Sequence, residues 1–241
     1  MPTSHGDRWS IRPGRCLWSL AVAALLAGCA ANTDGTAVPA SDLGHDPAPV
    51  MVEALAGLLL PPEQLNSVLQ VSGLVAGASD SAMANGETTA NDCAATWQVR
   101  WAPVYDGNGW VAVRGQYADD GPGGNRKVWE AVVSFPMPVD ANAFYAKQVA
   151  GWHTCNDRNI EERYTNQPDA DDSFWKLGEA RDSNGMLTIV ATQQNVDNGW
   201  ACERALTIRN NVAVDTQVCG DHVTDQAESV ANAIAKKVPV K

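Results

Sequence analysis

The sequence predicts an α+β fold: a mostly antiparallel β-sheet with helices packed on one face and two disulfides. Three observations carry that prediction. Runs rich in Val, Trp and Tyr alternate with Gly, Asn and Asp turns through the middle of the chain. Apolar residues recur at helical spacing near both ends of the globular part. Four cysteines are left for an exported domain once the first is assigned to the leader and the second to lipidation. The composition is that of a globular protein, with 45% hydrophobic and 19% charged residues in 241.

Residues 1–28 read as a lipoprotein signal peptide. Arg8, Arg12 and Arg15 form a positive n-region, and Leu17 to Ala27 is an apolar run of 11 residues. That run is too short for a bilayer core of about 30 Å but suits a signal sequence. It ends in Leu26-Ala27-Gly28-Cys29, which resembles the bacterial lipobox. The resemblance implies cleavage before Cys29 and two acyl chains, such as palmitate, on its thiol. The alternative is an ordinary secretory signal with an incidental Cys. Each buried methylene contributes about 0.8 kcal/mol, so two chains would anchor the protein stably on the extracytoplasmic face of the cell membrane.

Residues 29–48 follow as a polar stalk containing Pro and Gly. Removing residues 1–28 takes away three Arg and Asp7, which leaves 14 basic against 27 acidic residues, a net charge of −13. So acidic a chain, with no basic cluster, is a poor match for nucleic acid.

Residues 49–241 then form the globular domain. Val50 to Leu60 is a short helix, and Pro61-Pro62 opens a second one through Leu69. Residues 76–92 are small and polar, a surface loop. Three strands follow, Trp97 to Tyr105, Trp110 to Tyr117 and Lys127 to Phe135, separated by turn-rich DGNG and DDGPGGN. Asp140 caps a helix to about Trp152, with Ala143, Phe144, Val149 and Trp152 on its apolar face. Residues 156–173 read as a polar loop, and Phe174 to Arg181 and Met186 to Gln193 as strands. A hairpin over 200–219 comes next, and a helix from about Thr224 to Lys237 closes the chain. Val223, Ala227, Val230, Ala231 and Ile234 line one side of that helix.

The cysteines read as a scaffold. Cys16 leaves with the leader and Cys29 carries lipid, so Cys93, Cys155, Cys202 and Cys219 remain, with no CxxC motif among them. Asn210-Asn211 suits the turn of a two-residue hairpin. Cys202 and Cys219 are equally distant from that turn and so face each other at a non-hydrogen-bonded position, where Cα atoms lie about 4.5 Å apart. Cys93–Cys155 is left by elimination.

Motifs of known chemistry are missing. The sequence has no G-x-S-x-G, H-E-x-x-H, Walker loop or G-x-G-x-x-G, and no cofactor or metal motif. His45, His153 and His222 share no ligand spacing, and the DADD run at 169–172 reads as a solvated acidic loop. Seven Trp follow the leader, and core filling is the commoner use of each. The polar residues inside strands stand out more. Arg100, Arg114 and Gln116 lie in the meander, and Arg204 shares a sheet face with Cys202 and Leu206. A buried Arg204 would need an acidic partner, and Asp215 is diagonal to it across the hairpin. Arg114, Gln116 and Arg204 are therefore candidate ligand-cleft residues, with a structural ion pair as the plain alternative for Arg204.

From about residue 50 onward the chain resembles the PknH-like extracellular domain family. That family comprises the sensor domain of a mycobacterial membrane Ser/Thr kinase and related lipoproteins. The resemblance rests on Gly199-Trp200-Ala201-Cys202-Glu203-Arg204-Ala205-Leu206, Arg209-Asn210-Asn211, the stretch from Gly109 to Gln116, Gly151-Trp152 with Cys155, the closing Ala-rich helix and the spacing of the four Cys. It implies an antiparallel sheet flanked by helices, the same two disulfides and a cleft for an unidentified ligand. It supplies no catalytic residues. The expected function is thus a lipid-anchored, sensor-like domain, not an enzyme, binding a small molecule or cell-envelope component. An envelope interaction protein docking a membrane or cell-wall partner is the second reading, and an unrecognised envelope hydrolase the third.

Overall fold

Asn210 and Asn211 tie together four parts of the chain, and the sheet is best followed outward from them. In the computed structural model, which describes residues 47–85, 91–122, 124–163 and 172–240, they form the turn between β8 (Trp200–Arg209) and β9 (Val212–Asp221). Asn210 adopts φ 53°, which Asn tolerates better than other side chains. The pairing runs from Arg209↔Val212 to Trp200↔Asp221 and sets Cys202 against Cys219. That is the register expected from the sequence, and both disulfides are present, Cys93–Cys155 and Cys202–Cys219. The leader, Cys29, His45, Asp169 and Asp171 lie outside the described residues.

The other strands extend this hairpin on both sides. They are β1 (Val75–Ala76), β2 (Ala112–Asp119), β3 (Arg126–Ser134), β4 (Asn159–Glu162), β5 (Ser173–Leu177), β6 (Arg181–Ser183) and β7 (Met186–Gln193). The order is β1-β2-β3-β9-β8-β7-β5-β4, with β6 beside β7, and every described pairing between these strands is antiparallel. The α+β class therefore holds.

One part of the expectation fails: the helices cover both faces of the sheet. Alternate residues of a strand point to opposite faces. Cys202, Leu206, Ala213 and Cys219 pack with Phe144 and Trp152 of α4 (Pro138–His153). Ala205, Val212, Val214 and Val218 pack with α5 (Gln226–Ala235), α1 (Pro62–Leu69) and the 3₁₀ turn Val52–Leu58. The central strands are apolar on both faces, and that pattern requires two covers. Among the described residues, both cores draw on residues 50–238.

Four elements differ from expectation for identifiable reasons. Trp97 to Tyr105 is not a strand but two helical turns, α2 (Ala94–Trp97) and α3 (Ala102–Tyr105). Pro103 has no N–H for a ladder, and Arg100 between the turns has φ 47°. Phe174 to Arg181 divides into β5 and β6, because Gly178 to Ala180 places one extra residue opposite β7, a bulge. Residues 159–162, expected in a loop, form the charged edge strand β4. α4 begins at Pro138, so Asp140 lies within its first turn, its carboxylate accepting from the Met137 N–H (3.1 Å); Ala141 and Gln148 are buried, while Ala143 is exposed and Val149 half-buried. α5 buries Ala227, Val230, Ala231 and Ile234 as expected, and Val223, also buried, lies just before it.

Candidate ligand cleft

The strands give the molecule two distinct ends. At the turn end, Asn210 Nδ2 donates to the carbonyls of Ala48 (2.8 Å) and Pro239 (3.2 Å). Asn211 Oδ1 accepts from the Val50 N–H (2.7 Å), and Asn211 Nδ2 donates to the carbonyl of Phe135 (2.7 Å). Both ends of the described chain thus meet there. At the opposite end, some seven residues or roughly 23 Å along the strands, lies a cavity of about 360 Å³.

Its floor follows from strand parity. Lys127↔Cys219↔Cys202 form one cross-strand row and Trp129↔Gln217 the next, with Trp200 beyond, so all six side chains face the same side. The Cys202–Cys219 disulfide lies at the base. Trp129 and Trp200 are half-buried, and Lys127 Nζ lies 5.9 Å from the Trp200 ring centroid, within cation–π range.

The roof is the segment Trp97–Arg100, and the flank is Glu162 and Trp175. Trp97 and Trp175 pack at 4.2 Å between centroids. Glu162 Oε1 accepts from Trp97 Nε1 (2.6 Å) and Gln98 Nε2 (3.0 Å), while its Oε2 accepts from Ser173 Oγ (3.1 Å). Arg100 is clamped by Asp80, Nη1 to Oδ1 at 2.6 Å and Nη2 to Oδ2 at 2.8 Å. Gly115 makes room for this clamp, since a Cβ there would fall 2.6 Å from Arg100 Nε.

Arg204 is part of the support, not the lining. It lies on the same face, one row inward from the disulfide, 2% exposed beside a fully buried Asp215. Its Nε and Nη2 donate to Asp215 (2.8–3.0 Å), its Nη1 donates to the Ala95 carbonyl, and its guanidinium stacks 5.2 Å from the Trp152 ring. Asp215 Oδ2 also accepts from the Arg100 N–H (2.9 Å) and the Tyr105 hydroxyl (2.8 Å). Burial, then the Asp215 charge, push the Tyr105 pKa well above its usual value. The ion pair therefore pins residues 95–105, which carry the roof, onto the sheet.

Arg114 and Gln116 lie on the other face. Gln116 Nε2 donates to the Leu60 carbonyl (3.1 Å) and to Glu130 Oε1 (3.3 Å), beneath the N-terminal segment, while Arg114 Nη1 reaches the Val113 carbonyl (2.7 Å). The three residues chosen from the sequence do not share a cleft. Those missed are Lys127, Trp129, Trp200, Gln217 and Arg100. For the first four a signal existed, because they share parity with the facing cysteines. Arg100 stood out as a polar residue in a predicted strand, but its place in the cleft depends on a roof that the sequence reads as strand. DGNG at 106–109 is a turn from α3 into β2 rather than a hairpin, and no group of metal-binding side chains occurs among the described residues.

Comparison with known proteins agrees with this architecture. A family model, the PknH-like extracellular domain, matches residues 50–237. The chain belongs to that family. It is 33% identical over 196 residues to the serine/threonine-protein kinase PknH of Mycobacterium bovis and of Mycobacterium tuberculosis. That match covers 80% of this chain but 32% and 30% of those kinases, so the chain spans about a third of their length. The crystal structure of the extracellular domain of PknH from Mycobacterium tuberculosis superimposes with a TM-score of 0.74 at 30% identity. It covers 79% of this chain and 97% of that one. No helix among the described residues is long and apolar enough to cross a membrane.

Proposed function

We propose that the chain is an extracytoplasmic domain, lipid-anchored through Cys29, that binds a small molecule or cell-envelope component in the tryptophan-lined cleft without transforming it. The observation that carries this reading is the cleft itself. Two half-buried indoles and a cation line one open cavity on a disulfide-braced floor. Such a set suits a ligand with a flat apolar face, which stacks on Trp129 or Trp200, and a polar or anionic edge, which meets Lys127 and Gln217. Family membership supports a sensor-like role, and the two disulfides suit an oxidising compartment. Among the described residues lining the cleft, Glu162 is the one carboxylate. A hydrolase built on paired carboxylates would need a second.

Native mass spectrometry of the chain from Ala30 onward, produced in the envelope of a related host, tests the binding reading. A reproducible non-covalent adduct that is lost in Trp200→Ala is the expected result. A clean apo mass together with unchanged tryptophan fluorescence in envelope extracts would overturn it. The anchor is tested apart, by fractionation: Cys29→Ala is expected to release the chain from membranes, and detergent-requiring retention would refute it.

A further inference from the structure

The turn end of the sheet carries a concentration of exposed apolar side chains that the cleft does not use. Of the eight large hydrophobic residues exposed among the described residues, five belong there: Met51, Val111, Met137, Val139 and Val240. Their placement follows from backbone bonds. Val50 and Phe135 are both held by Asn211, Pro239 is held by Asn210, and the Val111 N–H donates to Ser134 at the adjoining strand end (2.8 Å). Beside Met51 runs a groove of about 510 Å³ lined by Pro47, Pro49, Met51, Leu58 and Pro239. A second hollow beside it brings Arg209 and Lys236 next to Val240. The other three, Val75, Phe174 and Val196, lie toward the cleft end.

We infer that this end seats on the lipid–water interface of the membrane that holds the chain, so that the ligand cleft opens away from the bilayer. The inference rests on the proposed anchor. Cys29 lies only 18 residues before Pro47, where the chain enters the groove, a reach of at most about 60 Å even when fully extended. The tether keeps the domain near the bilayer and joins it at this end. This is also the end with most of the exposed apolar tips, which is what selects it. Isolated apolar side chains of this kind favour the headgroup–acyl boundary over water. Glu53 and Asp140 stand beside Met51 and Val139 in the chain, so the apolar tips carry the seating, and the cations Arg209 and Lys236 add to it on anionic lipid.

The test replaces the natural anchor, which keeps it separate from the reading of Cys29. The chain from Ala30, with an N-terminal hexahistidine tag, is tethered to phosphatidylcholine–phosphatidylglycerol vesicles containing a nickel-chelating lipid. An environment-sensitive dye is placed on Val139→Cys or, as control, on Val75→Cys. All four remaining native cysteines are paired, so the added thiol is the only free one. The expected result is a blue shift at position 139 on tethering, quenched by brominated acyl chains, with no change at position 75. Met51→Ser with Val240→Ser, both at exposed positions, should weaken that quenching. Equal responses at the two positions, or none at either, would overturn the inference. A blue shift at 139 that grows with protein concentration without vesicles would also overturn it, by assigning this end to a second copy of the chain. If Cys29→Ala stays on membranes in cells, the anchor fails while this orientation result stands on its own.

Discussion

Strands β8 and β9 bury charged side chains on both faces, and the two faces handle them differently. Towards α4, Arg204 and Asp215 neutralise each other across the hairpin diagonal at 2.8 Å. Towards α5, Glu203 on β8 and Glu130 on β3, each 1% exposed, form no ion pair among the described residues. Burial raises both carboxyl pKa values to about 8, against 4.5 for an ordinary glutamate. Opposing influences are weaker: Glu203 accepts the Ala227 and Glu228 N–H groups at the start of α5, and Glu130 accepts the Leu60 N–H with Lys237 near it. A buried group keeps its charge only where the same face supplies a counter-charge. All three sites nonetheless do the same mechanical job. Each ties a peripheral segment to the sheet: the cleft roof, α5, or the N-terminal segment.

The contrast can be broken most severely at Asp215. Asp215→Ala leaves Arg204 buried without a partner and should destabilise the fold by about 3–5 kcal/mol in chemical denaturation. Arg204→Met with Asp215→Leu should recover much of that loss. If the single variant is as stable as the parent, the pair is not carrying buried charge.

The other face predicts a pH dependence. Glu130 and Glu203 bind protons in the folded state up to about pH 8 and in the unfolded chain only to about 4.5. Between those values the folded state holds more protons, so stability falls as pH rises. The slope is at most about 1.4 kcal/mol per pH unit for each group. Thermal unfolding should therefore show Tm decreasing from pH 5 to 8, and Glu203→Gln should flatten the curve. A Tm that rises over this range would mean that both carboxyls stay ionised in the folded protein.

The smallest effect is expected at Gly115. Gly115→Ala forces Arg100 to move and should cost about 1–3 kcal/mol. It should also shift the fluorescence of the cleft tryptophans, because Arg100 belongs to the roof. An unchanged spectrum with unchanged stability would show that the Arg100–Asp80 clamp is dispensable.

What could be read directly from the chain was local or periodic. The Cys202–Cys219 pairing follows from a two-residue turn, because antiparallel register is counted outward from it, and the Arg204–Asp215 diagonal follows from the same count. The inner face of α5 follows from 3.6-residue spacing, since all its apolar positions meet one surface. Where a segment had no such regularity, the reading slipped. Trp97 to Tyr105 has strand-like composition, yet Pro103 and the tether at Cys93 fold it over the sheet as a roof. Residues 159–162 hold a single apolar side chain, too little pattern to mark an edge strand.

The cleft needed the tertiary structure for a different reason. Strand parity tells which residues share a face, but not which face of a doubly covered sheet remains open at which end. Here α4 covers its face only in part, and residues 97–100 bridge the remainder without filling it. Trp152 is sealed in the core, while Trp129 and Trp200 stay half-open. Indoles of identical chemistry thus become core or ligand surface according to what the chain lays over them. Covalent connectivity, register and amphipathic spacing are properties of short stretches, and the sequence by itself determined those. The open volume between two layers depends on how distant segments pack, and only the folded chain decided it.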